Sequence, residues 1–277
     1  MANAAAPAGA RRDVSAPFGR IVCAVDGSRT GHLAVEQAVA LSDPATALVF
    51  VCAREAIGAG ASSQATITVE RADQTLREAV RTASEAGIDA AAELLSGHDR
   101  RSLLLDEASR ADLLVLPGHG ETRAGGIAVG SAASAALHRA TVPVLIARRP
   151  PAGEFPRRIL VATDGSADAE RAVELAARIG TRHAASVYLV SVDPARHGDP
   201  SRVEVHAAEL TAALEVEPSI LRLSGHADER ILEAADAESV SPVALGSRGL
   251  KSVRALGSVS ERVAHRAHCS VLVARAA

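Results

Sequence analysis

Two segments rich in glycine and serine have the residue types and spacing of a phosphate-binding loop. The first runs through Pro117–Gly120 and, after nine residues, Gly130-Ser131; the second runs through Gly246–Gly249 and, after seven residues, Gly257-Ser258. Glycine lets the backbone approach a ligand closely, and a helix that begins after such a loop offers free amides and its positive dipole end to an anion. The pattern favours a phosphate cradle, and the alternative is a plain helix cap after a flexible loop.

An aspartate followed by Gly-Ser ends a short apolar run in each half of the sequence. These residues are Asp26 and Asp164. A carboxylate at this place can accept hydrogen bonds from a ribose hydroxyl or an adenine amine. The alternative is that Asp-Gly-Ser is only a turn that starts a helix, and its recurrence in both halves narrows the margin between the two interpretations.

The chain is a tandem repeat. Arg20–Ser28 matches Arg158–Ser166 at a distance of 138 positions, and His138–Ala140 matches His265–Ala267 at 127 positions. A length of 277 residues is enough for two cores, at roughly 150 residues per domain. We predict a disordered N-terminal segment at residues 1–16, a first domain at 17–149, a proline-containing linker at 150–156 and a second domain at 157–277.

Apolar runs alternate with helical patterns in each copy. Leu113–Leu116 and Val243–Leu245 are continuous apolar runs typical of strands buried on both faces, whereas Val69–Glu85 has a helical pattern. The alternation predicts an α/β fold with two tandem open parallel-sheet domains, flavodoxin- or Rossmann-like, each with five strands. Ligands of such sheets bind outside the carboxyl ends of the strands, where both candidate groups fall.

Other kinds of site lack their sequence signatures. The sequence has no GxxxxGK[ST] P-loop, no GxGxxG after the first apolar run and no GxSxG elbow. Its three cysteines have neither CxxC spacing nor a nearby histidine ladder, which disfavours a zinc site and a disulfide framework and favours the reducing cytoplasm. A net charge of −3, and apolar runs well short of roughly 18 residues, predict binding to neither nucleic acid nor membrane.

Four histidines recur in pairs. His98 and His226 follow the third predicted strand of each copy, where they either face the ligand edge or, as we favour, begin the next helix. His138 and His265 end the last predicted helix, where a cation interacts favourably with the helix dipole. We predict no ligand role for this second pair.

These residues together resemble the universal stress protein family, in the tandem two-copy form that is common among actinobacteria. The resemblance rests on the aspartate of the first strand and on Gly-x2-Gly-x9-Gly-(Ser/Thr), which ATP-binding members carry after the fourth strand. It covers roughly Phe18–Arg149 and Pro156–Arg275. It implies a parallel sheet of order 3-2-1-4-5 and an adenine nucleotide, ATP or another, held at its carboxyl edge alone or with Mg²⁺.

The resemblance and the loop pattern together assign nucleotide-binding residues in both copies. The aspartates would contact the nucleoside, small residues would give it room, and the loops would line the ribose and phosphates. The residues are, in copy one, Ala24, Asp26, Ala53, Gly118, Gly120, Gly130, Ser131 and Ala132, and in copy two, Ala162, Asp164, Val192, Gly246, Ser247, Arg248, Gly249, Gly257, Ser258, Val259 and Ser260. Copy one departs from the motif at Pro117, and copy two departs by its shorter spacing.

We expect a cytoplasmic stress-response protein that binds ATP as a regulator and not as a catalyst, because the loops show no general base or metal-holding acidic pair beyond the two aspartates. The alternative is an interaction scaffold that binds no nucleotide; a nucleotidyl transferase ranks last. The last strands, Val144–Ala147 and Val271–Ala274, would be apolar sheet edges that need cover. We expect an intrachain pseudo-dimer, in which the halves cover each other's edges, together with a homodimer through another face; the sequence identifies no protein partner.

Overall fold

The fold is a ten-stranded mixed α/β sheet that combines both copies. The computed structural model describes residues 17–55, 68–118, 129–151, 153–193, 199–248 and 256–275, so the N-terminal segment predicted to be disordered lies outside the described residues. The strand order is β3-β2-β1-β4-β5-β10-β9-β6-β7-β8. Each half therefore has the order 3-2-1-4-5, which confirms the predicted fold class.

The strands form where the apolar runs lie. They are β1 (Arg20–Ala24), β2 (Ala47–Glu55), β3 (Ala90–Gly97), β4 (Leu113–Pro117), β5 (Val144–Ala147), β6 (Arg158–Ala162), β7 (Ser186–Val192), β8 (Ser219–Leu223), β9 (Val243–Gly246) and β10 (Val271–Ala274). Every residue of β4, β5, β9 and β10 is buried, as continuous apolar runs predict. The outer strands β3 and β8 are partly exposed.

Helices connect the strands and cover both faces of the sheet. They are α1 (Arg29–Ala40), α2 (Val69–Glu85), α3 (Arg100–Ala108), α4 (Ser131–Arg139), α5 (Ala167–His183), α6 (Pro200–Leu214), α7 (Ala227–Ala237) and α8 (Ser258–Arg266). One apolar core contains residues of α1, α2, α5 and α6, and the other contains residues of α3, α4, α7 and α8. Among the described residues, no helix is both long and apolar enough to cross a membrane.

The two halves meet at their last strands. β5 and β10 pair antiparallel, with Leu145 opposite Leu272, whereas the other strand pairs are parallel. Both strands are apolar and fully buried, so each covers the edge that the other would expose. The structure thus has the predicted intrachain pseudo-dimer.

Buried polar groups lock this joint. Ser270 is fully buried; its hydroxyl accepts the Arg148 amide at 2.9 Å and lies 2.9 Å from Gln37 Oε1. Gln37 Nε2 in turn donates to the Arg148 carbonyl at 2.7 Å. The cluster joins α1 of copy one to the start of β10 of copy two.

An arginine after each last strand reaches into the opposite half. Arg148 donates to the carbonyl of Ala264 in α8 at 2.6 Å, and Arg275 donates to the carbonyl of Leu137 in α4. A cation near the last carbonyls of a helix interacts favourably with the helix dipole. Burial lowers the pKa of Arg148 to about 10. Each half thus stabilises the carboxyl end of the other half's last helix.

Ser270→Ala should destabilise the protein, because it leaves the buried Arg148 amide and Gln37 Oε1 without their partner. We expect a loss of about 1–3 kcal/mol in the free energy of unfolding. Urea denaturation followed by circular dichroism measures it. Ser219→Ala at an exposed edge position is the matched control and should change stability by less than about 0.5 kcal/mol. Equal effects of the two substitutions would contradict a role for Ser270 in the joint.

Candidate functional site

Both aspartates lie in the turn between the first strand and first helix of their copy. The Ser28 amide donates to Asp26 Oδ1 at 3.0 Å, and the Ser166 amide donates to Asp164 Oδ1 at 3.0 Å. Asp26 is exposed and Asp164 is half-buried. Both aspartates therefore stabilise the turn that starts the helix, as the alternative interpretation predicts. The same hydrogen bonds hold their carboxylates at the carboxyl edge of the sheet.

The small residues assigned to the nucleoside lie on strands next to these turns. Ala24 and Ala53 are half-buried, Ala162 is buried, and Val192 is half-buried. Ala24, Ala162 and Val192 border the core that contains residues of α4 and α8. They therefore share a sheet face with the helices that follow the glycine and serine loops, as a common binding site requires.

The helices after the loops begin without a side-chain cap. Gly130 and Gly257 are the N-cap residues of α4 and α8, and neither helix has a side-chain cap that accepts from its first-turn amides. Polar side chains do cap α1, α2, α3, α5 and α6, through Ser28, Thr68, Asp99, Ser166 and Asp199. α7, which begins after His226, also lacks a side-chain cap. Two of the three described helices whose first-turn amides lack this partner thus start at the predicted anion sites.

Serine residues at these two helix starts face different surroundings. Ser131 and Ser258 are exposed, whereas Ala132 and Val259 are half-buried. Ser260 is buried, and its hydroxyl donates to the Gly246 carbonyl at 2.6 Å. Ser131 and Ser258 are thus placed to reach a ligand, while Ser260 holds the first turn of α8 to the end of β9.

Two loop glycines are required by packing inside the protein. A Cβ atom on Gly118 would lie 2.7 Å from the Ala147 carbonyl oxygen, and one on Gly246 would lie 2.6 Å from the Asp168 backbone. The Gly118 amide donates to the Ala147 carbonyl at 2.8 Å. The backbone atoms packed against Gly118 and Gly246 leave no room for a side chain, so both glycines are explained without a ligand. Gly120 and Gly249, which are also predicted site residues, lie outside the described residues.

Copy two holds a carboxylate against the start of its loop. Asp168, in the first turn of α5, accepts a hydrogen bond from the Ser247 hydroxyl and from the Arg248 amide at 3.0 Å. The Arg248 side chain returns to the same carboxylate, with Nε at 3.3 Å. The predicted ligand residues Ser247 and Arg248 thus already have an anionic partner. Sequence reasoning missed Asp168, which reads as an ordinary acidic residue in a first helical turn.

Copy one places a cation at the start of α4 that sequence reasoning also missed. The Arg100 guanidinium, at the start of α3, lies 3.4 Å from the Ser131 hydroxyl, and Arg100 is exposed. Alignment of Ser96-Gly97-His98 with Ser224-Gly225-His226 places Asp228 at the equivalent position of copy two. The sequence signal for Arg100 is therefore this difference in charge between equivalent positions of the two copies.

Asp228 is buried and paired with two arginines of α8. Arg262 Nε lies 2.8 Å and Arg266 Nη1 lies 3.1 Å from its Oδ2. Burial opposes ionisation, but the two guanidinium groups outweigh it and lower the pKa of Asp228. Copy two therefore has an internal ion cluster where copy one has an exposed arginine.

A buried histidine supports the Asp164 turn. His206 Nδ1 lies 2.7 Å from Thr163 Oγ1, which accepts the Gly165 amide at 3.0 Å. His206 Nε2 has no hydrogen-bond partner among the described residues. Burial lowers the pKa of His206, and Arg202 acts in the same direction while Glu209 opposes it. Neutral His206 is therefore the form that fits this turn.

The recurrent histidines lie at helix ends. His226 is the N-cap residue of α7, and Asp99, next to His98, caps α3, so this pair stands at the start of the next helix as favoured from the sequence. His138 and His265 lie in the last turns of α4 and α8. His138 Nε2 also lies 3.5 Å from Glu261 Oε1 of the other half.

Other chemistry is sparse in the part of the chain that the structure describes. No group of three or more histidine, cysteine, aspartate or glutamate residues arranged to hold a metal ion occurs there. Cys23, Cys52 and Cys269 are buried free thiols. A groove lined by Gly27, Gly31, His32, Thr75 and Thr82 lies between α1 and α2, on the sheet face opposite the candidate site.

Comparison with known proteins identifies relatives of both copies. The model described as "Universal stress protein family" matches residues 17–148 and 156–275. A Thermus aquaticus protein, "Universal stress protein in QAH/OAS sulfhydrylase 3'region", is 34% identical over 135 residues, which are 43% of this chain and 98% of the relative.

A solved structure shows the same fold over nearly the whole chain. A universal stress protein from Archaeoglobus fulgidus DSM 4304 is 22% identical, with a TM-score of 0.76 over 94% of this chain and 99% of that chain. A universal stress protein in complex with cAMP is 25% identical, with a TM-score of 0.36 over 43% of this chain and 95% of that chain.

His206→Asn should flatten the pH dependence of stability. The folded state favours neutral His206, so below the ordinary pKa of 6.5 the unfolded state binds more protons and stability falls. The stability that neutral His206 contributes is fully present above pH 6.5. It is lost as the pH falls towards the lowered pKa of His206 in the folded protein. Urea unfolding measured from pH 7.5 down to pH 5 should show a smaller loss for the variant than for the wild type. His98→Asn, at an exposed position, is the control, and an unchanged slope for His206→Asn would refute the prediction.

Proposed function

Because the chain belongs to the universal stress protein family, we propose that it binds an adenine nucleotide, ATP or a related one, at the carboxyl edge of the sheet. The nucleoside would contact the aspartate of the turn, and the phosphates would lie at the start of the last helix of the copy. We propose binding that regulates a stress response and is not coupled to turnover.

The observation that carries this proposal is the pair of glycine N-caps at α4 and α8. Helix starts without a side-chain cap leave amides and dipole available to an anion, and these two follow the predicted loops. Asp26 is exposed next to a half-buried Ala24, so a hydrogen-bond acceptor and a small apolar surface adjoin each other. An adenosine has the matching hydroxyls and ring.

The competing proposal is an interaction scaffold that binds no nucleotide. It is favoured by the loop donors that already have partners, above all Ser247 and Arg248 on Asp168 and the Gly118 amide on Ala147. In that case the protein would act through its outer surfaces. Nucleotide binding by the purified protein separates the two proposals.

Association and location follow from the joint and the thiols. The edges of β5 and β10 are already paired within the chain, so we propose that any homodimer forms through another face. The buried free cysteines favour a cytoplasmic location. Assignment to the actinobacterial two-copy type stays a prediction, as does a role for Mg²⁺.

Asp26→Asn combined with Asp164→Asn should weaken ATP binding about tenfold, since the change removes a charged hydrogen-bond acceptor worth about 1.4 kcal/mol. Asparagine keeps an oxygen for the turn amide, so the fold should persist. Isothermal titration with ATP measures the change, and parallel titrations with ADP, AMP, cAMP and GTP define the ligand.

Asp89→Asn, in an exposed position just before β3, provides the matched control and should bind ATP like the wild type. Mass spectrometry of nucleotide released from the purified protein gives an independent readout. Absence of binding to every nucleotide in the series would reject the proposed function in favour of the scaffold.

A further inference from the structure

The described ends of the copy-two loop are held by hydrogen bonds inside the protein. The Ser247 amide donates to the Ala274 carbonyl at 2.7 Å, and the Gly257 amide donates to the Ser247 carbonyl at 2.6 Å. The Arg248 amide donates to Asp168 at 3.0 Å. Three amides at the two ends of this loop therefore have acceptors inside the protein. The first of these bonds has an equivalent in copy one, where the Gly118 amide donates to the Ala147 carbonyl, so the Asp168 contact is what sets copy two apart.

Asp168 adds a negative charge to this arrangement. Its carboxylate is buried and is held by the Ser247 hydroxyl, the Arg248 amide and the Arg248 guanidinium. These are the donor types that bind phosphate. A phosphate that uses them must displace a buried carboxylate or lie beside it, and two anions at one site repel each other.

The equivalent position of copy one is neutral. Thr30 aligns with Asp168 at the repeat distance of 138 positions, and its hydroxyl lies 3.1 Å from the Ser28 hydroxyl. When the fourth strands of the two copies, β4 and β9, are aligned, Gly118 takes the position of Ser247, and glycine has no side chain that could donate a hydrogen bond. Copy one therefore lacks both the carboxylate and the hydroxyl that hold the loop of copy two.

The charges near the last helices, α4 and α8, also favour an anion in copy one over copy two. Arg100 lies beside Ser131 in copy one, and no carboxylate pairs with Arg100 among the described residues. In copy two, Asp228 takes the equivalent place and binds Arg262 and Arg266. An anion that arrives at α4 thus meets a guanidinium with no carboxylate partner in the described part of the chain, whereas one that arrives at α8 meets arginines already paired with Asp228.

From these contacts we infer that Asp168 acts as an internal anion that closes the site of copy two, so that the chain binds one nucleotide, in copy one. The inference rests on the proposed function and adds which copy is occupied and what blocks the other. Arg100 and Ser131 then belong to the phosphate end of the occupied site.

Counting bound ATP per chain by equilibrium dialysis tests this. The full-length wild type should bind one ATP. Ser131→Glu, which places a carboxylate at the start of α4, should weaken binding at least tenfold. Ser84→Glu, on the exposed side of α2, controls for the added charge and should retain one ATP.

Asp168→Thr, which copies Thr30, should raise the count to two, and Asp168→Thr with Ser131→Glu should return it to one. Asp168→Asn is the conservative second variant in case the threonine variant does not fold.

Two ATP bound by the wild type, or one ATP retained by Ser131→Glu, would overturn the closure of copy two and leave the proposed function standing. A count that stays at one in a folded Asp168 variant would also overturn it. If neither variant folds, the wild-type and Ser131→Glu counts decide. If the wild type binds no ATP at all, the proposed function fails too.

Discussion

The antiparallel pairing of β5 with β10 is the constraint on which the rest of the structure depends. Both strands are four-residue apolar segments, fully buried, and an open apolar edge of this kind invites uncontrolled pairing with other chains. Joining the two edges inside one chain removes that exposure and makes ten strands one sheet. The duplication therefore supplies the partner that a single copy would lack.

The joint also connects the candidate sites to the opposite half. α4 and α8 begin at the candidate anion sites and end against Arg275 and Arg148, respectively, each contributed by the other copy. Arg148 also packs against Gly118, because a Cβ atom there would lie 2.8 Å from Arg148 Cγ. The same buried side chain thus lies against Gly118 at the end of β4 and caps the last helix of copy two.

Much of the fold could be predicted because local pattern determines it. The bounds of β5, β10 and α2 were predicted to the residue, since continuous apolar runs and a helical period need no knowledge of their neighbours. The polar contacts of the site could not be predicted in this way. Asp168 and Arg248 are 80 positions apart, and only the parallel sheet brings α5 against the end of β9. Gly246 has the residue type of a ligand-facing glycine, yet the backbone of Asp168 already occupies the space beside it.

The two loops are physically connected even though their surroundings differ. A group bound at the first turn of α4 would act on a helix of nine residues whose last carbonyls hold Arg275. Burial lowers the pKa of Arg275, while Asp168 opposes that effect and Arg248 adds to it, so this guanidinium lies within the field of the copy-two loop. Short packed helices move as units, because close-packed interiors transmit displacement and do not absorb it. The connection from Ser131 to Asp168 therefore runs through α4 and the charge of Arg275, and the joint between the copies is part of the candidate site's own support.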